Sequence, residues 1–281
     1  MNFIQAILMG IVQGLSEFLP ISSSAHLVFT SNFYKVFKGI EIVQQSNEEV
    51  FFDIMLHFGT LIAVLIFFRK EIWSILKALI HAVKTKDYSN QEAKIGLYII
   101  LGTIITVALA LPLHDFAEML VFSPAIVGGL LVITGIALFV SEYISKNVVA
   151  RKENVDLKSS ILIALAQGLA VLPGLSRSGW TIATGLFTGL DRITAAKYSF
   201  LLSIPIILGA SMVYPFIKID LHEAVTYNWL SIICGTIVSG LVGYACIKYF
   251  LKFVSKFSLA IFGWYCILAG IGTLIFFSIY A

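Results

Sequence analysis

Apolar runs of about 18–22 residues recur along this chain, each long enough to cross the ~30 Å of hydrocarbon in a bilayer. Nothing else in the sequence narrows the fold so far. Within hydrocarbon every backbone N–H and C=O must be satisfied by the chain itself, so only helices and closed barrels can span. The alternating pattern of a barrel strand is absent, which leaves an all-α polytopic membrane protein. Composition agrees: 59% of residues are hydrophobic and 12% charged, against roughly 25% charged in a soluble domain. The net charge of +3 is small and gives no ground for nucleic-acid binding. The N-terminus does not read as a cleavable signal, because it lacks a basic segment and Glu17 and Pro20 interrupt its apolar run.

Two of the apolar regions are broken. Residues 3–33 divide at Ser16–Pro20 into two arms of about 12 residues, roughly 18 Å each as helix, too short to cross. Residues 159–190 divide in the same way at Pro173–Gly174. Such a pattern predicts a re-entrant hairpin, tolerated only where protein or water covers the break. Full spans are expected at about 51–68, 95–112 and 124–141, and again at about 197–217, 229–248 and 257–280. The basic stretch 69–94 is expected to hold an amphipathic interfacial helix bearing Ile72, Trp73, Ile75, Leu76, Leu79 and Ile80. The chain is thus one integral membrane domain of two repeats, about 1–145 and 159–281, each a hairpin plus three transmembrane helices. Local identity supports the repeat: Gln13-Gly14-Leu15 matches Gln167-Gly168-Leu169, and Ser22 and Ser24 match Ser176 and Ser178.

Orientation follows from the lysines and arginines. Fifteen of the nineteen fall in loops 69–94, 142–158, 189–197 and 248–256, which therefore belong on the cytoplasmic side. Three lie in the opposite loops, and Arg177 sits inside the second break. Both termini are then outside, and three spans per half invert one repeat relative to the other. Broken helices meeting near the midplane of an inverted repeat form a transporter-like architecture.

The breaks carry the chemistry. The first, GIVQGLSEFLPISSSAHL, places Glu17, the hydroxyls of Ser22, Ser23 and Ser24, and His26 inside an apolar region. The second, AQGLAVLPGLSRSGWT, supplies Arg177 between Ser176 and Ser178, with Thr181 following. A new helix starts after each break, and free N–H groups at a helix start favour phosphate. Arginine adds a planar fork for phosphate oxygens. A charged side chain at membrane depth costs about 2.5–3.5 kcal/mol, so Glu17 and Arg177 should face a hydrated cavity or each other. Elsewhere bland readings prevail. Ser199, Ser203, Ser211, Gly235 and Gly240 read as small residues for close helix packing. His81, His114 and His222 read as satisfied core or interfacial residues; His57 and Asp53, near the outer end of one span, have a weaker claim to that reading. Cys234, Cys246 and Cys266 lie in apolar runs and read as packing residues.

The motif Gln13-x-x-x-Glu17 followed by Pro20-Ile21-Ser22-Ser23-Ser24-Ala25-His26, with Pro173-Gly174-Leu175-Ser176-Arg177-Ser178-Gly179-x-Thr181, resembles the undecaprenyl pyrophosphate phosphatases, also called bacitracin-resistance proteins. The resemblance covers the whole chain, including the run Ser199 to Pro205. The family admits Glu or Gln at position 13, often has Gly at Ala25 and often Thr at Ser24. A different family of membrane lipid phosphatases carries SR-x5-H-x3-D; the residue six after Arg177 is Ala183, so that arrangement is absent.

The resemblance implies hydrolysis of undecaprenyl diphosphate on the outer face of the bacterial plasma membrane, which recycles the carrier lipid for cell-wall synthesis and lowers bacitracin sensitivity. It points to Ser23 or His26 as nucleophile. His26, one helical turn on, could instead be the base for Ser23, and Glu17 could orient His26 or hold a divalent cation, Mg²⁺ or Ca²⁺, jointly with the phosphates. Arg177, Gln13, Ser22, Ser24, Ser176, Ser178 and Thr181 complete the expected site. The expected partner is a polyprenyl diphosphate lipid, with a homodimer left open. The alternative is a flippase returning the lipid monophosphate inward.

Overall fold

The computed structural model describes residues 3–37, 39, 46–146, 151–218 and 225–280, so His222 lies outside the described residues. These form eleven helices. The first hairpin is α1 (Phe3–Ser16) and α2 (Ser23–Phe37), of 14 and 15 residues. The second is α7 (Leu157–Leu169) and α8 (Arg177–Phe187), of 13 and 11 residues. At 1.5 Å per residue none of the four reaches across a bilayer. Six helices are long and apolar enough to do so: α3 (Asn47–Phe67), α5 (Gln91–Leu120), α6 (Pro124–Lys146), α9 (Arg192–Lys218), α10 (Trp229–Val254) and α11 (Ala260–Tyr280). The expected helical class and span count are therefore met.

The amphipathic helix is α4 (Arg69–Thr85), with Ile72 and Ile75 packed on the core and Trp73, Leu76 and Ile80 exposed. One expectation needs correction. The third apolar segment does not end at 112: α5 runs through Pro112 to Leu120, 30 residues in all. A proline within a membrane helix is tolerated where neighbouring groups re-satisfy the backbone. The polar His114, Asp115 and Glu118 lower the hydropathy of the last two turns, which are still helical.

Each hairpin lays its first arm chiefly on a span from the other half of the chain: α1 packs on α10, and less on α3 of its own half, and α7 packs on α5. Small residues allow the approach. A Cβ on Gly10 would sit 2.5 Å from the Gly235 carbonyl, and one on Gly14 2.7 Å from that of Ser239. Without a hydrophobic drive between helices in lipid, this backbone proximity supplies the van der Waals contact. Helices α6 and α11 meet the same way, Gly128 against Gly270 and Gly135 against Gly263.

Where the hairpins turn, backbone carbonyls lose their helical donors, and side chains from neighbouring spans replace them. Cys246 Sγ donates to the Leu15 carbonyl at 3.2 Å and Cys266 Sγ to that of Pro20 at 3.4 Å. These two cysteines therefore do more than fill space. On the side of the basic loops, buried Glu142 accepts both Arg192 Nε (2.8 Å) and Arg192 Nη2 (2.6 Å), and also the Leu259 N–H (2.9 Å). That clasp joins α6, α9 and the entry to α11.

Candidate active site

The first break is shaped by serines and a proline. Helix α1 ends at Ser16, and the chain turns through Pro20 to Ser22, whose φ of 69° is rare for a residue with a side chain. Ser22 Oγ accepts the Ala25 N–H at 3.3 Å, capping α2. Ser23 is thereby the first residue of α2, and its Oγ donates to Glu17 Oε2 at 2.7 Å. Gln13, one turn before Glu17, donates to the same oxygen at 2.9 Å.

The second break is built alike. Gly174 has φ 101°, and a Cβ there would collide with the Val127 carbonyl. Thr134 Oγ1 accepts the Ser176 N–H and donates to the Gly174 carbonyl, both at 3.1 Å. Ser176 Oγ accepts the Gly179 N–H at 3.1 Å and caps α8. Arg177 is then the first residue of α8, as Ser23 is of α2.

The two tips meet. Arg177 Nη2 donates to Glu17 Oε1, and Ser178 Oγ donates to the Leu19 carbonyl at 2.8 Å. Phe18 and Phe200 pack edge to face beneath them, ring centroids 5.3 Å apart. A cavity of about 300 Å³ opens at the junction, lined by Glu17, Ser22, Ser23, Ser24, His57, Arg177 and Ser211 among apolar walls that include Ile54, Leu175 and Ile207. Arg177 Nη1 is buried without a partner.

The expected residues divide by position. Glu17, Ser22, Ser23, Ser24 and Arg177 line the cavity. Gln13 is wholly buried and braces Glu17. Ser176 and Ser178 tie the second tip to its own helix and to the first tip. Thr181 turns back to the Arg177 carbonyl (2.8 Å) and to Ser199 Oγ (2.6 Å). Ser199 is thus a hydrogen-bonding member of the support.

His26 is not brought to Ser23. Its Nδ1 meets the Ser22 carbonyl at 2.8 Å, its Nε2 meets Tyr265 Oη at 2.6 Å, and its ring stacks on Tyr265. The reason is helical spacing: His26 is four residues after Ser22 and reaches back to that carbonyl. The imidazole in the cavity is His57. Its Nδ1 meets the Asp53 carbonyl at 2.8 Å, and its Nε2 lies 3.6 Å from Glu17 Oε2. Its signal in the sequence was a polar pair, Asp53 and His57, on one face of an apolar span. Ser211, read as a packing residue, also reaches the cavity.

Among the described residues Glu17 is the one carboxylate lining this cavity, and its oxygens already receive Arg177, Gln13 and Ser23. Among the described residues, the one cluster of three potential metal ligands is His114, Asp115 and Glu118 at the end of α5, outside the cavity lining. A divalent cation held by Glu17 would take its other ligands from substrate oxygens and water.

A family model described as bacitracin resistance protein BacA matches residues 6–272. An undecaprenyl-diphosphatase of Methanobrevibacter smithii is 41% identical, with 96% of each chain covered. One from Halothermothrix orenii is 38% identical over all of both chains. Undecaprenyl-diphosphatase 1 of Pseudoalteromonas translucida is 36% identical over 99% of this chain and 100% of its own.

Proposed function

The chain belongs to the bacitracin resistance protein BacA family, and we propose from that membership and from the cavity that it hydrolyses undecaprenyl diphosphate to undecaprenyl phosphate and inorganic phosphate. It is a membrane-embedded phosphatase that recycles the carrier lipid for cell-wall synthesis. By consuming the diphosphate that bacitracin captures, it also confers resistance. The observation that carries the reading is the convergence of Ser23, Glu17 and Arg177 from two separate breaks on one cavity.

The geometry supports Ser23 as nucleophile. Its Oγ attacks the terminal phosphorus while its proton passes to Glu17 Oε2, 2.7 Å away. The bond from phosphorus to the bridging oxygen breaks, and the lipid monophosphate leaves with that oxygen and its electron pair. Water then attacks the phosphoserine phosphorus and gives a proton to His57, the other base lining the cavity. The bond from phosphorus to Ser23 Oγ breaks, Oγ takes back the proton held on Glu17, and inorganic phosphate leaves. A serine hydroxyl needs an adjacent base, and Glu17 supplies one when the incoming diphosphate draws Arg177 away. The guanidinium and the N–H groups at the starts of α2 and α8 then spread over the phosphoryl oxygens. Phosphoryl transfer needs chiefly such positioning and charge neutralisation. A magnesium or calcium ion would be held by Glu17 with the diphosphate oxygens and would add to that neutralisation.

Ile54 lies in the half of α3 farther from the basic loop at 69–94, and His57 at its midpoint. Ala210 and Ser211 lie in the half of α9 farther from the basic segment at 189–197. With the basic loops cytoplasmic, this supports a cavity opening to the outer face of the plasma membrane. A carrier would need charge complementarity but no hydroxyl paired with a carboxylate.

The test is phosphate release from farnesyl diphosphate by protein in detergent, with a chemical trap of the intermediate. An acid-stable phosphoenzyme that Ser23→Ala cannot form is the expected result. An acid-labile one, retained in Ser23→Ala, would overturn Ser23 as nucleophile.

A further inference from the structure

The α7–α8 hairpin has a second cavity, at its open end. Arg177 occupies the tip of the hairpin, and this cavity of about 410 Å³ lies at the opposite end, among the basic loops. Lys152, Lys158, Ser159, Thr184 and Thr188 supply its polar lining.

Three observations point to an anion. First, Ser159 is wholly buried and its Oγ has no hydrogen-bond partner. An unpaired buried hydroxyl costs about 1–3 kcal/mol, and Ser159 is one of the residues that line this cavity. Second, the cavity stands at the start of α7, where N–H groups and the helix dipole favour negative charge. Third, the acid nearby is already committed. Asp156 Oδ1 takes the Ser159 N–H and Oδ2 takes Lys152 Nζ, both at 2.7 Å. Lys158 has no ion pair among the described residues.

The walls say what carries the anion. Leu162 and Phe187 border the same cavity and are 38% and 39% exposed, in a protein whose outer surface meets hydrocarbon. A group bound here has its charge at the membrane surface and an apolar flank beside it.

We propose that the open end of the α7–α8 hairpin binds a phosphate headgroup, that of an anionic lipid in the leaflet bordering the basic loops. Lys158 and Ser159 hold the phosphate, and Leu162 and Phe187 flank the first part of the acyl chain. The occupant would hold together the two ends of the hairpin whose tip presents Arg177. This site is separate from the diphosphate cavity and stands whether or not the reading of that cavity holds.

The experiment measures the thermal midpoint of the full-length protein in detergent with dioctanoyl phosphatidic acid, dioctanoyl phosphatidylcholine or inorganic phosphate added. Phosphatidic acid is expected to raise the midpoint in a saturable way and phosphatidylcholine to leave it unchanged. Lys158→Gln and Ser159→Ala should each raise the half-saturating concentration by about tenfold or more, the size of one lost hydrogen bond to a charged group. Lys158 is exposed, so its variant folds; unchanged phosphate release checks both. A shift by inorganic phosphate that both variants lose would support the site and make a free anion its ligand. Equal shifts in wild type and both variants, or an equal response to phosphatidylcholine, would overturn it.

Discussion

Ser22 and Ser176 hold the same structural position in two different hairpins. Each accepts the N–H three residues on, Ala25 for one and Gly179 for the other, and each meets the hydroxyl two residues on, at 3.2 and 3.3 Å. The residue between each pair is therefore the first of a helix: Ser23 in α2, Arg177 in α8. The same local construction delivers the hydroxyl from one side and the guanidinium from the other, and both reach Glu17.

That arrangement makes Arg177 irreplaceable by charge alone. Its Nη2 is on Glu17 and its Nη1 has no protein partner, so both are available to phosphate oxygens. Lysine offers a point charge without the fork. Arg177→Ala is expected to lower phosphate release by about 10²–10³-fold, the cost of losing one preorganised charge stabiliser, and Arg177→Lys to recover little of it. Assays of farnesyl diphosphate turnover on folded, inserted protein decide this. Near wild-type rates in either variant would remove Arg177 from the site.

His26 acts through the backbone. It joins the Ser22 carbonyl to Tyr265 and so pins the left-handed turn that aims Ser23. His26→Ala should cost about tenfold in kcat, the scale of a lost positioning hydrogen bond, and still form the phosphoenzyme. Tyr265→Phe should cost less. A His26→Ala variant as inactive as Ser23→Ala, beside a fully active Tyr265→Phe, would mean that the imidazole reacts directly.

Glu142 should matter for folding and little for chemistry. Removing one partner of a buried ion pair typically costs about 3–5 kcal/mol, and Glu142→Ala would strand Arg192 and the Leu259 N–H together. The expected result is a large drop in thermal midpoint with a near-normal KM for the protein that remains folded. A midpoint equal to wild type would show that the clasp between α6, α9 and α11 contributes nothing.

Asp156 gives a pH signature outside the membrane. The Lys152 ammonium, and after it the Ser159 N–H at the start of α7, hold its carboxyl down at about 2, below the usual 3.8. Its folded-state value is depressed, so its contribution to stability is complete above about 4 and is lost as pH falls towards 2. At pH 7, Asp156→Ala should melt below wild type, in keeping with a lost N-cap worth about 0.5–2 kcal/mol. The gap should close between pH 4 and pH 2. A gap constant across that window would refute the cap as the source.

Much of the fold was legible because hydrocarbon permits so few solutions. The hairpin at 3–37 and the one at 157–187 fall where proline and polar residues interrupt runs too short to span. The end of α5 was misjudged because hydropathy registers the environment of a turn, and Pro112 and His114 change that environment without ending the helix. Within the site, Glu17, Ser23 and Arg177 were visible as charge or hydroxyl at membrane depth. His57 was visible only as half of a polar pair with Asp53, and Ser211 not at all, because a polar residue on an apolar span looks the same whether it faces a neighbour or a cavity.

By itself the sequence determined the solvent, the helical class, the two interruptions and the inventory of groups suited to a phosphate ester. Those are local matters, set by the run lengths a bilayer demands and by what serine, proline and glycine do to a backbone. Only the tertiary structure decided which groups meet. It set Arg177 on a glutamate 160 residues away and turned His26 towards Tyr265. It also brought His57 to the cavity from a third helix. These outcomes depend on how α1 lies across α10 and α7 across α5. Contacts between distant segments are selected by shape and hydrogen-bond geometry, which spacing along a chain does not encode.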